Sequence, residues 1–551
     1  MRYGFRHLLF QFEMQMEKNK GKLSTTFKLN KKLVFWSSIF AVLILHHTTT
    51  KLFGWQILCP GYKKEIETFT ATDFKYYEKY IKYKGLDFGK SLVYFLKSTV
   101  EIINNKSATF TTGDIITLRI ILHKENGDVL TESGDFLKVW MSEKGKGAGS
   151  AGYVVDHGNG TYIGVIKTLW SGSPNIKISL SFPKESIGLF VNYIYKNGML
   201  RTMKGVFKNA RGETGKGPCG IHTLQKHGIC DFTSKNYGMR WFCSLPDKPG
   251  FDCSDWYSII GDTNVSTFTT TQSNFISSTS NKIIKEIKVE VYGDKFIDHP
   301  EYLCRQINPS VTWNMSSPVG YLYNETWHNL LCQNNVEPSY NRYVSCLKNR
   351  EIYMVGDSTV RHWLMSMAEI LNLAYSIKLT LDAHHPIKAF STNTRDNITV
   401  TWAAHEFPFF AYTSNATINY FKPARYHLNI LRSKNPIVVL HWYVHIGFVP
   451  LSVYEEHVMN AKDSIVEFLD RVPDAKIFIK GPHNLQHTDG VPYDFVRYLQ
   501  DKIIFKIFDN IKHKIVYLNQ WDITVASESY EMHPSNSLRH QMIHELLSYI
   551  C

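Results

Sequence analysis

The chain has 551 residues, 44% hydrophobic, 14% aromatic and 20% charged. That length exceeds one hydrophobic core and that composition excludes extended disorder, so two domains joined by linkers are expected. The formal net charge of +13 is scattered instead of gathered into a basic stripe. This argues against a nucleic-acid surface and leaves a diffuse positive face that serves solubility or meets anionic glycans and lipid headgroups.

Lys28, Lys31 and Lys32 precede the apolar run Leu33 to Leu45, which His46, His47 and three threonines close. The run is shorter than the roughly 20 residues that span a bilayer, which favours a signal peptide. The absence of a clean small-residue cleavage site, with Lys18, Lys20 and Lys22 upstream, supports a short type II signal anchor instead. Under either reading residues 1–60 hold a cytoplasmic tail and targeting segment, and the rest is secreted or enters the Golgi lumen. Asn-x-Ser/Thr triplets at Asn105, Asn159, Asn264, Asn314, Asn324, Asn397 and Asn415 fit a glycosylated luminal surface. The cysteines are Cys59, Cys219, Cys230, Cys243, Cys253, Cys304, Cys332, Cys346 and Cys551. Their spacing is not that of a zinc site, so disulfides are expected, with one cysteine, Cys59 for example, left over. No metal site is expected.

From Ile115 to Val191 apolar residues alternate, as in Ile116, Leu118, Ile120 and Leu122, and turn pairs such as Asn126-Gly127 and Asn159-Gly160 punctuate the runs. This predicts an immunoglobulin-like β-sandwich over 95–205. Residues 206–285 read as a disulfide-rich connector followed by a flexible Ser/Thr-rich linker. Beyond Arg350 the character changes. Ile352–Val355, Ile398–Trp402, Ile437–His441, Lys476–Ile479 and Lys514–Leu518 are buried-strand patterns, and Thr359–Leu373, Glu455–Asp470 and Phe495–Lys512 are helical ones. Such alternation predicts an α/β/α domain over 286–551 with a mainly parallel sheet and a site at the carboxyl ends of its strands.

The strand Ile352–Val355 runs into Gly356-Asp357-Ser358 and then a helix. That would hold the Ser358 hydroxyl beside helix-terminal amides able to stabilise an oxyanion, although Gly-Asp-Ser alone can equally be a helix cap. A serine nucleophile needs a base. His533-Pro534, after Trp521-Asp522-Ile523-Thr524 and before a closing helix, supplies a histidine on the same side of the sheet; histidine before proline is otherwise a common turn residue. The adjacent His384-His385 reads as a surface loop.

Gly-Asp-Ser-Thr-Val-Arg after a strand, Trp521-Asp522-Ile523-Thr524, His533-Pro534 and the terminal Tyr-Ile-Cys resemble the neurexophilin and PC-esterase domain family (NXPE). Gly134-Asp135-Phe136, the string Asp156 to Tyr162 and Cys219-Gly220 resemble its neurexophilin-like part, so that the resemblance runs from about residue 95 to 551. It implies an SGNH-like PC-esterase domain that removes or transfers acyl groups, often acetyl, on carbohydrate hydroxyls. Ser358 matches the nucleophile, His533 the base and Arg361 the arginine after Gly-Asp-Ser, which would hold an acyl donor or simply pair within the fold. The family's aspartate three residues before the histidine is replaced by Tyr530, leaving Glu531 or Asp522 to orient the imidazole. The superfamily's later Gly and Asn oxyanion donors are not plainly present either: Trp442 to Gly447 follows the third strand and Asn484 comes only after the fourth, leaving His445 or Gly447 to supply a donor. Two functions follow. One is a luminal esterase or O-acetyltransferase on a glycan or glycoprotein, with no bound cofactor and acetyl-CoA as an acyl donor for transfer. The other is a catalytically weak, neurexophilin-like secreted protein whose sandwich recognises a cell-surface partner.

Overall fold

In Ile115–Ile121 the alternation buries Ile116, Leu118 and Ile120 while Ile115 and Arg119 stay exposed, as a half-buried strand requires. A computed structural model describes residues 93–551 except 106, 201, 223–227, 262–267, 294–299, 316–317, 380–385, 406–415, 418–420 and 487–490. The targeting segment, Cys59, His384-His385, Asn264 and Asn415 lie outside the described residues, and all described residues belong to one unit, Glu67–Cys551.

One antiparallel sheet has the order Thr99–Ile102, Ile115–Ile121, Thr161–Lys167, Tyr153–Asp156. A second has the order Lys282–Lys288, Asn175–Phe182, Phe136–Glu143, Ala148–Ala151, Gly320–Tyr323, Thr326–Asn329. Ile116, Leu118 and Ile166 of the first share one core with Val139, Met141 and Ile178 of the second. The strand Phe136–Glu143 is buried on both faces. Val139 and Met141 point into this core, whereas Trp140 packs with Val525 of the carboxy-terminal part.

Two expectations change here. The Ser/Thr-rich stretch is not a flexible linker: Thr270–Thr279 is a helix, because Thr269 and Gln272 form a reciprocal capping box and Phe275 and Ile276 are buried. The hairpin Gly320–Asn329, assigned to the 286–551 domain, instead completes the second sheet, with Leu322 opposite Gly149. The connector is itself sheet-forming. Met203–Lys208, Thr214–Gly220, Ile229–Asp231, Phe242–Ser244 and Trp256–Gly261 lie in one sheet pinned by the disulfides Cys219–Cys243 and Cys230–Cys253. Further disulfides join Cys304 to Cys332 and Cys346 to Cys551.

The carboxy-terminal sheet comprises β1 (Glu351–Gly356), β2 (Ala374–Leu379), β3 (Pro386–Asn393), β4 (Ile398–Ala404), β5 (Ile437–Leu440), β6 (Lys476–Lys480) and β7 (Ile515–Leu518), in the order β2-β3-β4-β1-β5-β6-β7. The five strands from β4 to β7 are parallel, while β2 and β3 add an antiparallel edge that the sequence did not reveal. All four residues of β5 are buried, as strands covered on both faces require. The helices are α1 (Ser358–Ile370), α2 (Ala424–Ile430), α3 (Leu451–Arg471), α4 (Tyr493–Phe508), α5 (Gln520–Ala526) and α6 (Asn536–Ser548). No described helix is long and apolar enough to cross a membrane.

Candidate active site

The carboxyl end of β1 is where backbone, helix and neighbouring strand converge. A Cβ on Gly356 would lie 2.9 Å from Val360 Cγ2 and 3.0 Å from His441 Cβ, so only glycine lets the exit of β5 press against this turn. Asp357 follows, buried and in extended conformation, and caps α1: its Oδ1 accepts from Thr359 N at 2.8 Å and from Thr359 Oγ1 at 2.7 Å. Its backbone oxygen accepts from Trp402 Nε1 of β4 at 3.2 Å. Its Oδ2 takes Val444 N at 3.3 Å and lies 3.3 Å from His441 Nε2. Burial alone would raise the Asp357 pKa, but His441, His445 and Lys480 together hold it well below the usual carboxylate range. Asp357 is thus the anionic bolt between α1 and the segment after β5.

Ser358 opens α1, and its Oγ lies 2.8 Å from His533 Nε2. For the hydroxyl to donate there, the neutral ring carries its proton on Nδ1. Burial, and the positive charges of Arg361 and Arg539, lower the His533 pKa below 6.5, although Asp357 opposes them. The imidazole is therefore neutral at pH 7. One turn after Ser358, on the same face of α1, His362 stacks on His533 at 4.2 Å and 5° between planes. Burial first, then His533 and Arg361, bring the His362 pKa down to about 4.

The loop bearing His533 is tethered at both ends. Arg539 of α6 donates to Pro534 O, and through Nε to Ser366 Oγ at 2.9 Å; Ser366 Oγ donates to Asn536 Oδ1 at 2.9 Å, stapling the start of α6 to α1. On the other side Asn484 Nδ2 donates to Ser529 O at 2.9 Å and Gln486 N to Tyr530 O at 3.0 Å. Asn484 in turn accepts from Lys138 Nζ at 2.7 Å, and Lys138 also meets Asp494 Oδ2 at 2.8 Å. A lysine of the Phe136–Glu143 strand therefore props the histidine loop from beneath.

Several expected partners sit elsewhere. Asp522 is fully buried and accepts from Val319 N at 2.8 Å, and Glu531 is exposed. Among the described residues no carboxylate hydrogen-bonds His533, so neither acid orients the ring as expected. The physical reason is that Asp522 lies in α5, turned to the segment before the Gly320–Tyr323 strand. Tyr530, in the place of the family's aspartate, packs its ring 5.5 Å from Lys138 Nζ. Gly447 is not an oxyanion donor, because its N–H goes to Tyr443 O at 2.9 Å within a tight turn. The His445 ring stays near the site, its Nδ1 3.3 Å from His405 Nε2. Arg361 lies with its guanidinium 5.8 Å from the Trp402 ring and close enough to depress both His362 and His533.

Residues not foreseen from the sequence complete the setting. Lys480, buried at the end of β6, sits 3.4 Å from Thr359 Oγ1 and 5.4 Å from the Trp363 ring, and burial brings its pKa down to about 7. His441 Nδ1 is paired with Lys480 O at 2.8 Å. His362 was findable from its four-residue spacing from Ser358; Lys480 and Arg539 had no such signal. Of the sequon asparagines, Asn159, Asn314, Asn324 and Asn397 are exposed and Asn105 half-buried. No group of three or more metal-ligating side chains stands among the described residues.

The model described as NXPE family member 4-like, C-terminal domain, matches residues 327–551, and the neurexophilin model matches residues 96–259. A solved structure of FdeC, an Escherichia coli adhesin, is similar over 36% of this chain and 66% of that one, at 13% identity. This chain thus spans just under two thirds of FdeC, and at a TM-score of 0.13 the likeness carries no argument. A neurexophilin match followed by an NXPE member 4-like match, together with four disulfides that fit the secretory pathway, is consistent with the NXPE family.

Proposed function

We propose that the carboxy-terminal domain is an SGNH-like Ser-His esterase or O-acyltransferase acting on glycan hydroxyls in the secretory lumen, with an immunoglobulin-like sandwich at its back. The observation that carries this is the 2.8 Å contact between Ser358 Oγ and His533 Nε2 at the carboxyl edge of a parallel sheet. In the reaction His533 takes the Ser358 proton as Oγ attacks the acyl carbonyl carbon. The tetrahedral intermediate collapses, the bond to the leaving oxygen (or, for a thioester such as acetyl-CoA, sulfur) breaks, and His533 delivers the proton to the leaving group. Water or a sugar hydroxyl then attacks the acyl-serine, gives its proton to His533, and Oγ leaves with that proton restored. The amides at the start of α1, with His445 and Arg361 nearby, are the groups suited to the developing oxyanion. His362, neutral and stacked, takes over the orienting task that a carboxylate performs in related triads.

A second reading keeps the site weak and assigns the protein to recognition of a cell-surface partner through its sandwich. The neurexophilin match over residues 96–259 favours it. The exposed sequon asparagines suit a glycoprotein in either case. A fluorophosphonate probe on luminally expressed protein decides between them: the enzyme is labelled and Ser358→Ala is not, whereas unlabelled, well-folded wild type leaves the binder.

A further inference from the structure

Away from Ser358, a cavity of about 670 Å³ lies between the Phe136–Glu143 strand and the α4–β7 side of the carboxy-terminal domain. That size falls within the range of small-ligand sites, and its position between two packed parts is where such sites form. Phe136 and Tyr153 line one wall, and Tyr498, Phe505 and Tyr517 the other. Asp501 adds a carboxylate. Its Oδ1 accepts from both Tyr443 Oη at 2.6 Å and Tyr517 Oη at 2.7 Å, while its Oδ2 has no hydrogen-bond partner among the described residues. Aromatic faces beside an acceptor left with free capacity match the two sides of a sugar ring, an apolar C–H face and a hydroxyl edge.

The occupant is indicated by Asn314, which lines this cavity and is the first residue of the sequon Asn314-Met315-Ser316. The residues before it are fixed. Thr312 Oγ1 accepts from Tyr517 N at 2.9 Å and Trp313 Nε1 donates to Ile515 O at 2.7 Å. The Trp313 ring packs on Phe505, Phe508 and Tyr517 at 5.2, 5.7 and 5.4 Å. Asn314 therefore follows a fixed anchor and itself lines the cavity, so that a glycan it carries would start at that wall. We propose that this cavity seats the first sugars of an N-linked glycan carried by Asn314, so that the chain's own carbohydrate fills the junction between its two parts. The inference is independent of any chemistry at Ser358.

The test uses the full chain secreted from an N-glycosylating host and digested natively with a peptide N-glycosidase. Peptide mass spectrometry then compares release at Asn314 with release at Asn159 and Asn324 of the same molecules, which are likewise exposed but do not line the cavity. Seating predicts that Asn314 is occupied, that its glycan leaves about tenfold more slowly, the lag expected for about 1.4 kcal/mol of seating, and that denaturation abolishes the lag. Tyr498→Ala, at a residue 39% exposed, should erase the lag in secreted, folded protein. An unmodified Asn314, which would leave the cavity to a free saccharide, overturns the proposal. So does release as fast as at Asn159, or a lag that survives in folded Tyr498→Ala. If that variant is not secreted, the comparison of sites in the wild type decides alone.

Discussion

Lys138→Met should weaken both the fold and the site. Lys138 Nζ and Asp494 Oδ2 are 2.8 Å apart with side chains 5% and 0% exposed, so removing the ammonium strands a carboxylate in low dielectric at a cost of about 3–5 kcal/mol. Losing the bond to Asn484 Oδ1 adds about 1 kcal/mol, while methionine retains most of the apolar stem. Urea denaturation followed by tryptophan fluorescence reads the sum, about 4–6 kcal/mol. Adding Asp494→Asn removes the stranded charge but keeps an acceptor for Leu485 N, so the double variant should recover about half of the loss by the same reasoning. Because Asn484 also holds Ser529 O, Lys138→Met should slow fluorophosphonate labelling of Ser358 under conditions where the protein is still folded. A loss below about 1 kcal/mol, as for an exposed ion pair, with unchanged labelling, would refute the reasoning.

With His533 as the proposed base, activity should fall on acidification with a midpoint below 6.5, because its pKa is depressed by burial, Arg361 and Arg539; the kcat/KM profile for an aryl acetate reads this. Arg539→Ala removes one of those charges and the staple to Ser366, so the midpoint should rise and the rate drop, by about 100-fold if His533 moves 1 Å. His362 has a folded pKa of about 4 against an ordinary 6.5, so the stability it contributes is complete above pH 6.5 and fades as pH falls towards 4. His362→Phe should flatten that part of the Tm-versus-pH curve and keep the stack on His533, whereas His362→Ala should slow labelling. Replacing Cys346 and Cys551 by serine opens a loop with a sequence separation of 205, and should cost up to about 5 kcal/mol in denaturant unfolding.

What the sequence made legible was what local pattern controls. The runs Ile352–Val355 and Ile437–His441 are apolar because their strands are covered on both faces, and the strand-to-helix passage at Gly356-Asp357-Ser358 carries its own geometry. Pairing across long distances left no local trace. Gly320–Asn329 joins a sheet whose other strands end at Lys288 or earlier, apart from which nothing in its composition marks it. Asp522 stands at a plausible distance before His533 in the chain, yet its carboxylate is taken by Val319 N, a partner 203 residues away. Thr269-x-x-Gln272 has the spacing of a capping box, a short local signal inside a stretch whose Ser/Thr content points to a linker. Lys480 ends a strand, where a lysine ordinarily meets solvent; only the packing of Trp363 and Asp357 around it makes it a buried charge under the site.

Covalent capture addresses the chemistry most directly. Brief exposure of luminally expressed protein to an aryl acetate, acid quench and peptide mapping should find acetyl on Ser358, and far less of it in His533→Ala with the fold intact. Acetyl absent from Ser358 in folded wild type, or equally abundant without the His533 imidazole, would contradict a nucleophile and base acting as one pair.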